Sequence, residues 1–329
     1  MQAAFLFDQH SSDRASDLGA VNAPTHSTSP AATAAEVSDE AEVHRLQATG
    51  RFRVLRRLKP RPIRSDAPKP DGDLLRLGII VDTETTGLDP MSDEIVELAA
   101  LAFTYDSSGI RDVVGTFEGL RQPSRPMSAE AVRLTGLTDE ALAGNAINAA
   151  SLEAFVRPAS LIVAHNAAFD RSFAVRAWPF FSGSPWACSF VDVDWKRLGT
   201  DGAKLGHLLG SIGIFHDAHR ALWDCHALLE VLAAPRYAGA DGAFAQIVRA
   251  SSAEMFEIRA EGSPFSARDV LKSAGYRWDR GGPGRKKSWF KIVNSSQVSS
   301  EVHFCRYEIF RDTAVPVVRK LRAADRLRR

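Results

Sequence analysis

The stretch that decides the fold is LGIIVDTETTG, residues 77–87. Residues 77–81 form a short apolar run rich in β-branched side chains, the pattern of a strand covered on both faces. Two acids close that run. Side chains alternate along a strand, so Asp82 and Glu84 project from the same face at the point where burial should still be the rule. Carboxylates held side by side repel, and the pair is tolerable only if a cation lies between them or one takes up a proton. A bare D-x-E is more often a solvated strand end, so the rest of the chain has to decide.

Outward from this strand, residues 95–105 (IVELAALAFTY), a turn at 106–109 and residues 113–117 predict a β-hairpin. Helical spacing follows near 128–134 and 150–156, then a short apolar strand at 161–164, a helix opening near Phe169 and a longer helix over 222–232. Strands alternating with helices imply an α/β sandwich with a mixed sheet, over residues 73–235. Two more acids fall at element boundaries of this domain. Asp170 sits where a helix begins, and Asp224 lies near the start of a helix whose Leu222, Leu228, Leu229 and Leu232 mark its buried side. Four acids can then converge, and hard oxygen ligands suit Mg²⁺ or Mn²⁺.

His219 precedes Asp224 by five residues. On one continuous helix the two side chains would diverge by about 140°. With His219 in the preceding loop, both can face one cavity, and a histidine there suits a general base near neutral pH.

Composition sets wider bounds. The 329 residues are 45% apolar and 25% charged, and 41 Lys and Arg against 40 Asp and Glu leave a net charge of +1. No global charge signal points to nucleic acid or membrane, so any such signal must be local. The three cysteines, Cys188, Cys225 and Cys305, lack C-x-x-C spacing, which argues against a disulfide framework or a structural zinc and for a reducing, cytoplasmic setting. No apolar run approaches the ~20 residues of a membrane span, and the first residues lack the basic region of a secretion signal.

The segments DTETTGL, LTGLTDE, HNAAFD and HRALWDC, in this order, resemble the DEDD exonucleases whose third motif is H-x4-D, the superfamily of the proofreading epsilon subunit of bacterial DNA polymerase III, ribonuclease T and oligoribonuclease. Each motif alone is weak; the ordered set is specific, and it covers about residues 76–235. The pieces RFRVLRRL, WACSFVDVDW, GSPFSARDVLKSAGYRWD and AADRL are also similar to a bacterial group of stand-alone epsilon-like exonucleases with a C-terminal extension. The resemblance implies a ribonuclease H-like mixed-sheet exonuclease domain. It further implies two Mg²⁺ or Mn²⁺ ions held by Asp82, Glu84, Asp170 and Asp224, with His219 as base and nucleoside 5′-monophosphates released from a 3′ end. Thr85 would contact the terminal nucleotide, and Phe169 matches the motif's aromatic, with packing as its commoner role. His165 and Asn166 would shape the turn before Asp170, and His207, His216 and His226 read as exposed or packing residues. DNA ends, RNA ends and a non-catalytic role beside a polymerase all stay open, and a proofreading role would need a DNA polymerase in trans.

The flanks differ in character. Residues 1–40 are Ser, Thr, Ala, Pro and acid, a composition that predicts disorder. Residues 41–72 read as a basic arm and a proline-rich linker: residues 50–65 hold seven bases and no acid, as a packing arm or as a face tracking a phosphate backbone. Residues 239–329 predict a small α+β unit. There, six bases and one acid between positions 276 and 291 interleave with Tyr276, Trp278, Trp289 and Phe290. The aromatics serve either as a small core or as stacking platforms, with Arg285, Lys286 and Lys287 at a hairpin tip as candidate contacts to single-stranded nucleic acid. The tail from position 319 reads as a solvated helix end.

Overall fold

The computed structural model describes residues 30–71, 74–282 and 284–321. The chain divides into two units, Met1–Val54 and Leu55–Arg329. In the first, Pro30–Ala48 is a helix. The expected disorder therefore fails over positions 30–40, where alanines of high helix propensity follow a proline that suits a first turn; positions 1–29 lie outside the described residues. Gly50, at φ +68°, adopts the left-handed conformation that ends the helix.

The strands are β1 (Arg56–Arg57), β2 (Arg76–Thr85), β3 (Ile95–Asp106), β4 (Gly109–Leu120), β5 (Leu161–Ala164), β6 (Trp186–Cys188), β7 (Ile214–Phe215), β8 (Met255–Ala260), β9 (Arg277–Asp279), β10 (Ser288–Asn294) and β11 (Val317–Leu321). Five of them form a sheet in the order β4-β3-β2-β5-β6, antiparallel from β4 to β2 and parallel from β2 to β6. This is the mixed sheet of a ribonuclease H-like exonuclease fold. β1 pairs in parallel with β7, which ties the end of the basic arm to the segment before the Asp224 helix.

Alternation along β2 and β3 splits the core in two. Ile80, Ala99, Leu101 and Phe103 face one cluster, completed by Ala221, Cys225, Leu228, Leu229 and Leu232 of the helix Ala221–Ala233. Ile79, Val81, Leu98, Ala100 and Ala102 face the other, completed by Ala167, Phe173 and Ala174 of the helix Ala167–Ala177. A strand so covered has no polar face to offer, which is why its sequence reads as a continuous apolar run.

The helix Ala243–Ser252 corrects one expected boundary. Its Ala243, Phe244 and Ile247 are buried in the first cluster, and the Phe244 ring lies 5.3 Å from Tyr105 and 5.8 Å from Phe103. Positions 243–252 thus complete the larger sheet rather than opening the C-terminal unit. That unit is a four-stranded antiparallel sheet in the order β11-β8-β10-β9, with its own core of Ile258, Leu271, Tyr276, Val293, Cys305 and Ile309. Arg319 lies on β11 and not at a helix end, and positions 322–329 lie outside the described residues. All three cysteines are buried and unbridged. Among the described residues no helix is long and apolar enough to cross a membrane.

One buried ionic group fixes the small sheet. Arg259 on β8, 4% exposed, reaches the Asp279 carboxylate at 2.9 Å, the Glu257 carboxylate at 3.2 Å and the Lys286 carbonyl at 2.7 Å. Removing the cation would strip the buried Glu257 carboxylate of this partner and leave Asp279 to Arg285 alone. Arg259→Met is expected to destabilise the C-terminal sheet by about 3–5 kcal/mol, read as loss of cooperativity or a lowered midpoint in urea unfolding.

Candidate active site

β2 carries its acids past the end of the apolar run. Asp82 and Glu84 share parity with Ile80, so both face the helix Ala221–Ala233, which presents Asp224 in its first turn. One carboxylate oxygen from each of Asp82, Glu84 and Asp224 lies within 4.8 Å of the others. Thr83 has the opposite parity and faces the helix Ala167–Ala177. There the Asp170 carboxylate accepts from the Thr83 hydroxyl at 2.8 Å and from its backbone N–H at 3.1 Å. Three of the four expected acids therefore form one cluster. Asp170 reaches the same strand end from the other face, close enough to add to the charge that Asp82 feels.

A β-bulge falls between Glu84 and Thr85. Bulges bend the strand and re-aim the side chains beside them. Thr85, the expected nucleotide contact, is buried and already donates its hydroxyl to the Gly87 carbonyl at 2.6 Å. Phe169 packs on Phe173 with ring centroids 4.8 Å apart, as a core side chain would.

Burial first, and then the charges of Asp170, Asp224, Glu84 and Glu97, push the Asp82 carboxyl well above the usual carboxylate range. Glu84 is raised from 4.5 to about 8, by burial and by Asp224, Glu97 and Asp170, with Arg220 opposing. Repulsion of this kind is what a bound dication removes. The donor set is all carboxylate oxygen, which fits Mg²⁺ or Mn²⁺.

His219 lies in the loop before the helix, exposed and at φ +69°, a left-handed conformation uncommon for a residue with a side chain. Its backbone N–H donates to Asp224 Oδ2 at 2.9 Å. The other oxygen, Oδ1, is 2.8 Å from His216 Nε2, and the His216 side chain is only 3% exposed. His216 therefore belongs to the site, with its Nε2 as donor to the carboxylate. Its role depends on the path of the loop, and helical or strand periodicity offers no sign of it.

One further group escaped the sequence reading. Glu97 on β3 stands opposite Glu84 in register and its side chain is fully buried. It accepts from the Arg220 guanidinium at 3.2 Å and from the Ala221 N–H at 3.3 Å, and so caps the helix that carries Asp224. A signal existed: Glu97 is the one charged residue in IVELAALAFTY, and a buried charge requires a partner. His165 sits behind the site with Nδ1 2.8 Å from Ser189 Oγ, and burial lowers it from 6.5 to about 4, so it is neutral near pH 7. His226 is buried in its helix, and His207 is half-exposed beside Asp201.

The family model described as Exonuclease, RNase_T, matches residues 79–232, the sheet and helices that carry this cluster. Residues 79–232 are a domain of that family. The exonuclease domain is 35% identical over 118 residues to the PolC-type DNA polymerase III of Thermotoga maritima, covering 35% of this chain and 8% of that protein. It is 36% identical over 101 residues to the PolC-type DNA polymerase III of Bacillus subtilis, covering 29% of this chain and 6% of that protein. The chain thus spans less than a tenth of the length of these relatives. Among solved structures, exonuclease X in complex with 5′ overhanging duplex DNA is similar at 23% identity and a TM-score of 0.39, covering 52% of this chain and 99% of that one.

Two outcomes are expected from this geometry. The ion-free folded state holds the Glu84 proton up to about pH 8, whereas the unfolded chain releases it near 4.5. Between those values the folded state binds more protons, so stability falls as pH rises through the window, by roughly 1.4 kcal/mol for each pH unit crossed. Melting temperatures in EDTA should decline from pH 5 to 8, Glu84→Gln should flatten the decline, and Mn²⁺ should reverse it. His216→Phe, which removes one of the two partners of Asp224, should weaken Mn²⁺ binding about 10- to 100-fold, measured by the loss of free-ion signal in electron paramagnetic resonance.

Proposed function

We propose that the chain is a metal-dependent 3′ to 5′ exonuclease that removes nucleoside 5′-monophosphates from DNA ends. The carrying observation is the meeting of Asp82, Glu84 and Asp224 within 4.8 Å at the end of a buried strand, with Asp170 at the same strand end. Asp82, Glu84, Asp170 and Asp224 would hold two divalent ions. Bound there, the ions would acidify an attacking water and stabilise the leaving 3′-oxygen.

The chain's own groups do the rest. His219 is exposed in the loop while its backbone is tied to Asp224, so its ring is free to take a proton from water beside the cluster. His216 and the His219 N–H between them hold both oxygens of Asp224, which restricts that carboxylate to one orientation. Thr83 does the same for Asp170. Arg220 balances the buried Glu97 and lowers the charge felt by Glu84. The PolC-type relatives are DNA polymerases, which supports DNA as substrate and a polymerase as a partner.

The test is release of labelled nucleotides from single-stranded DNA and RNA of equal sequence, labelled at the 5′ or the 3′ end, with and without Mg²⁺ or Mn²⁺. The expected result is metal-dependent shortening of DNA from its 3′ end, faster than of RNA. Asp82→Ala, Glu84→Ala, Asp170→Ala and Asp224→Ala should each come close to abolishing it, and wild-type rates in any of them would remove that residue from the site. His219→Ala should lower kcat by about 10²- to 10⁴-fold and change the pH profile. Preferential trimming of RNA would replace DNA by RNA in this reading, and no cleavage of either would leave a nucleic-acid-binding role beside a polymerase.

A further inference from the structure

Among the described residues, the C-terminal sheet has one face closed by its own core and one face open. Tyr276, Trp289 and Val293 turn to the core, where Lys291 pairs with Glu301 and its ammonium lies 5.7 Å from the Tyr276 ring. Part of the aromatic and basic run is therefore structural. The residues of opposite parity line a cavity of about 430 Å³ on the other face, within the ~300–1,000 Å³ of ligand sites.

Its composition is specific. Phe290, Ile292 and Leu321 supply apolar surface, while Trp278 borders the cavity but stands opposite Trp289 in register, its ring 5.6 Å from that ring and so on the core side of the sheet. Arg277, Arg280, Arg285 and Arg319 stand around it, the Arg277 guanidinium 5.1 Å from the centre of the Phe290 ring. The two acids of the cavity are already engaged: Asp279 by Arg259 at 2.9 Å and Arg285 at 3.0 Å, Glu257 by Arg259 at 3.2 Å. Among the described residues, Arg277, Arg280 and Arg319 make no ion pair. Three uncompensated guanidinium groups beside apolar and aromatic surface ask for a ligand that alternates fixed negative charge with flat apolar rings.

We propose that this open sheet face is a second nucleic-acid site, which holds a segment of single strand with its phosphates on Arg277, Arg280 and Arg319 and its bases against Phe290, Ile292 and Leu321. It deepens the nuclease reading and rests on it for the class of ligand, since a strand cut at the acid cluster supplies both the charge and the rings. Each base stacked on an aromatic is worth roughly 1–3 kcal/mol and is read without sequence preference. The cleft also relocates the contact expected at the hairpin tip. Arg285 is shared with Asp279, and Lys286 and Lys287 lie outside the cavity lining.

The experiment is fluorescence anisotropy of a labelled twenty-nucleotide oligothymidylate with the full chain in EDTA, where cleavage is blocked. Arg277→Gln with Arg319→Gln is expected to weaken binding at least tenfold and to make the dependence on salt shallower, by about 0.7 in the logarithmic slope for each phosphate no longer neutralised. Lys286→Gln with Lys287→Gln should weaken it much less. Equal affinity in the arginine variant, or a larger loss in the lysine variant, overturns the cleft, as does full competition by polyglutamate of matched charge, which would assign the face to acidic protein. Hydrolysis of the p-nitrophenyl ester of thymidine 5′-monophosphate with Mn²⁺ separates the two readings. The arginine variant should retain it, and its absence in the wild type would defeat the nuclease reading while leaving the binding result to decide the cleft.

Discussion

Three carboxylates held within 4.8 Å of one another, at the end of a strand buried on both faces, are the constraint to which the rest of the larger domain answers. Like charges at that spacing in a low-dielectric setting destabilise the fold unless they are protonated or neutralised. The surrounding groups are those that tolerance of such a cluster requires. Arg220 reaches in from the helix start, Glu97 is paired and caps that helix, and each oxygen of Asp224 has its own donor. Electrostatic cost and packing order are linked here, because the same helix that supplies Asp224 also buries Leu228, Leu229 and Leu232 against the sheet.

Two helices on opposite faces serve one strand end. Asp224 arrives from one side and Asp170 from the other, and Thr83 between them points at Asp170 because its neighbours point away. The acids do not lie in a plane on a single surface. They wrap the strand, with Asp224 on one side of it and Asp170 on the other.

Much of this was legible. The period-two spacing of Asp82 and Glu84 and the leucines behind Asp224 follow from local geometry alone, the structure takes the loop alternative for His219, and strand 161–164 matches β5 residue for residue. What escaped depends on contacts between distant segments. His216 becomes part of the site only through the turn that returns it to Asp224, and the helix Ala243–Ser252 joins the larger core only because Phe103 and Tyr105 leave space for Phe244. The open cleft of the small sheet needed the pairing of β11 with β8, which brings Arg319 beside Glu257 across a long separation in sequence. The helix over positions 30–40 is hidden by composition, because serine and acid there mask the propensity of the alanines between them.

The parity of β2 has a further consequence for how this domain can vary. Since one face of the strand holds Asp82 and Glu84 and the other holds Thr83, a one-residue insertion or deletion upstream of Asp82 would exchange the two faces and send both acids toward the Asp170 helix. Ile79, Ile80 and Val81 could trade places with little change in volume, but any side chain brought to the position of Gly78 would run into the Phe103 ring. The acids are not indifferent either. Register in this sheet is therefore guarded by the packing of Gly78 against Phe103 as well as by polar pairs such as Thr83 with Asp170, and length changes here should be far rarer among sequences that keep the site than substitutions within the same run.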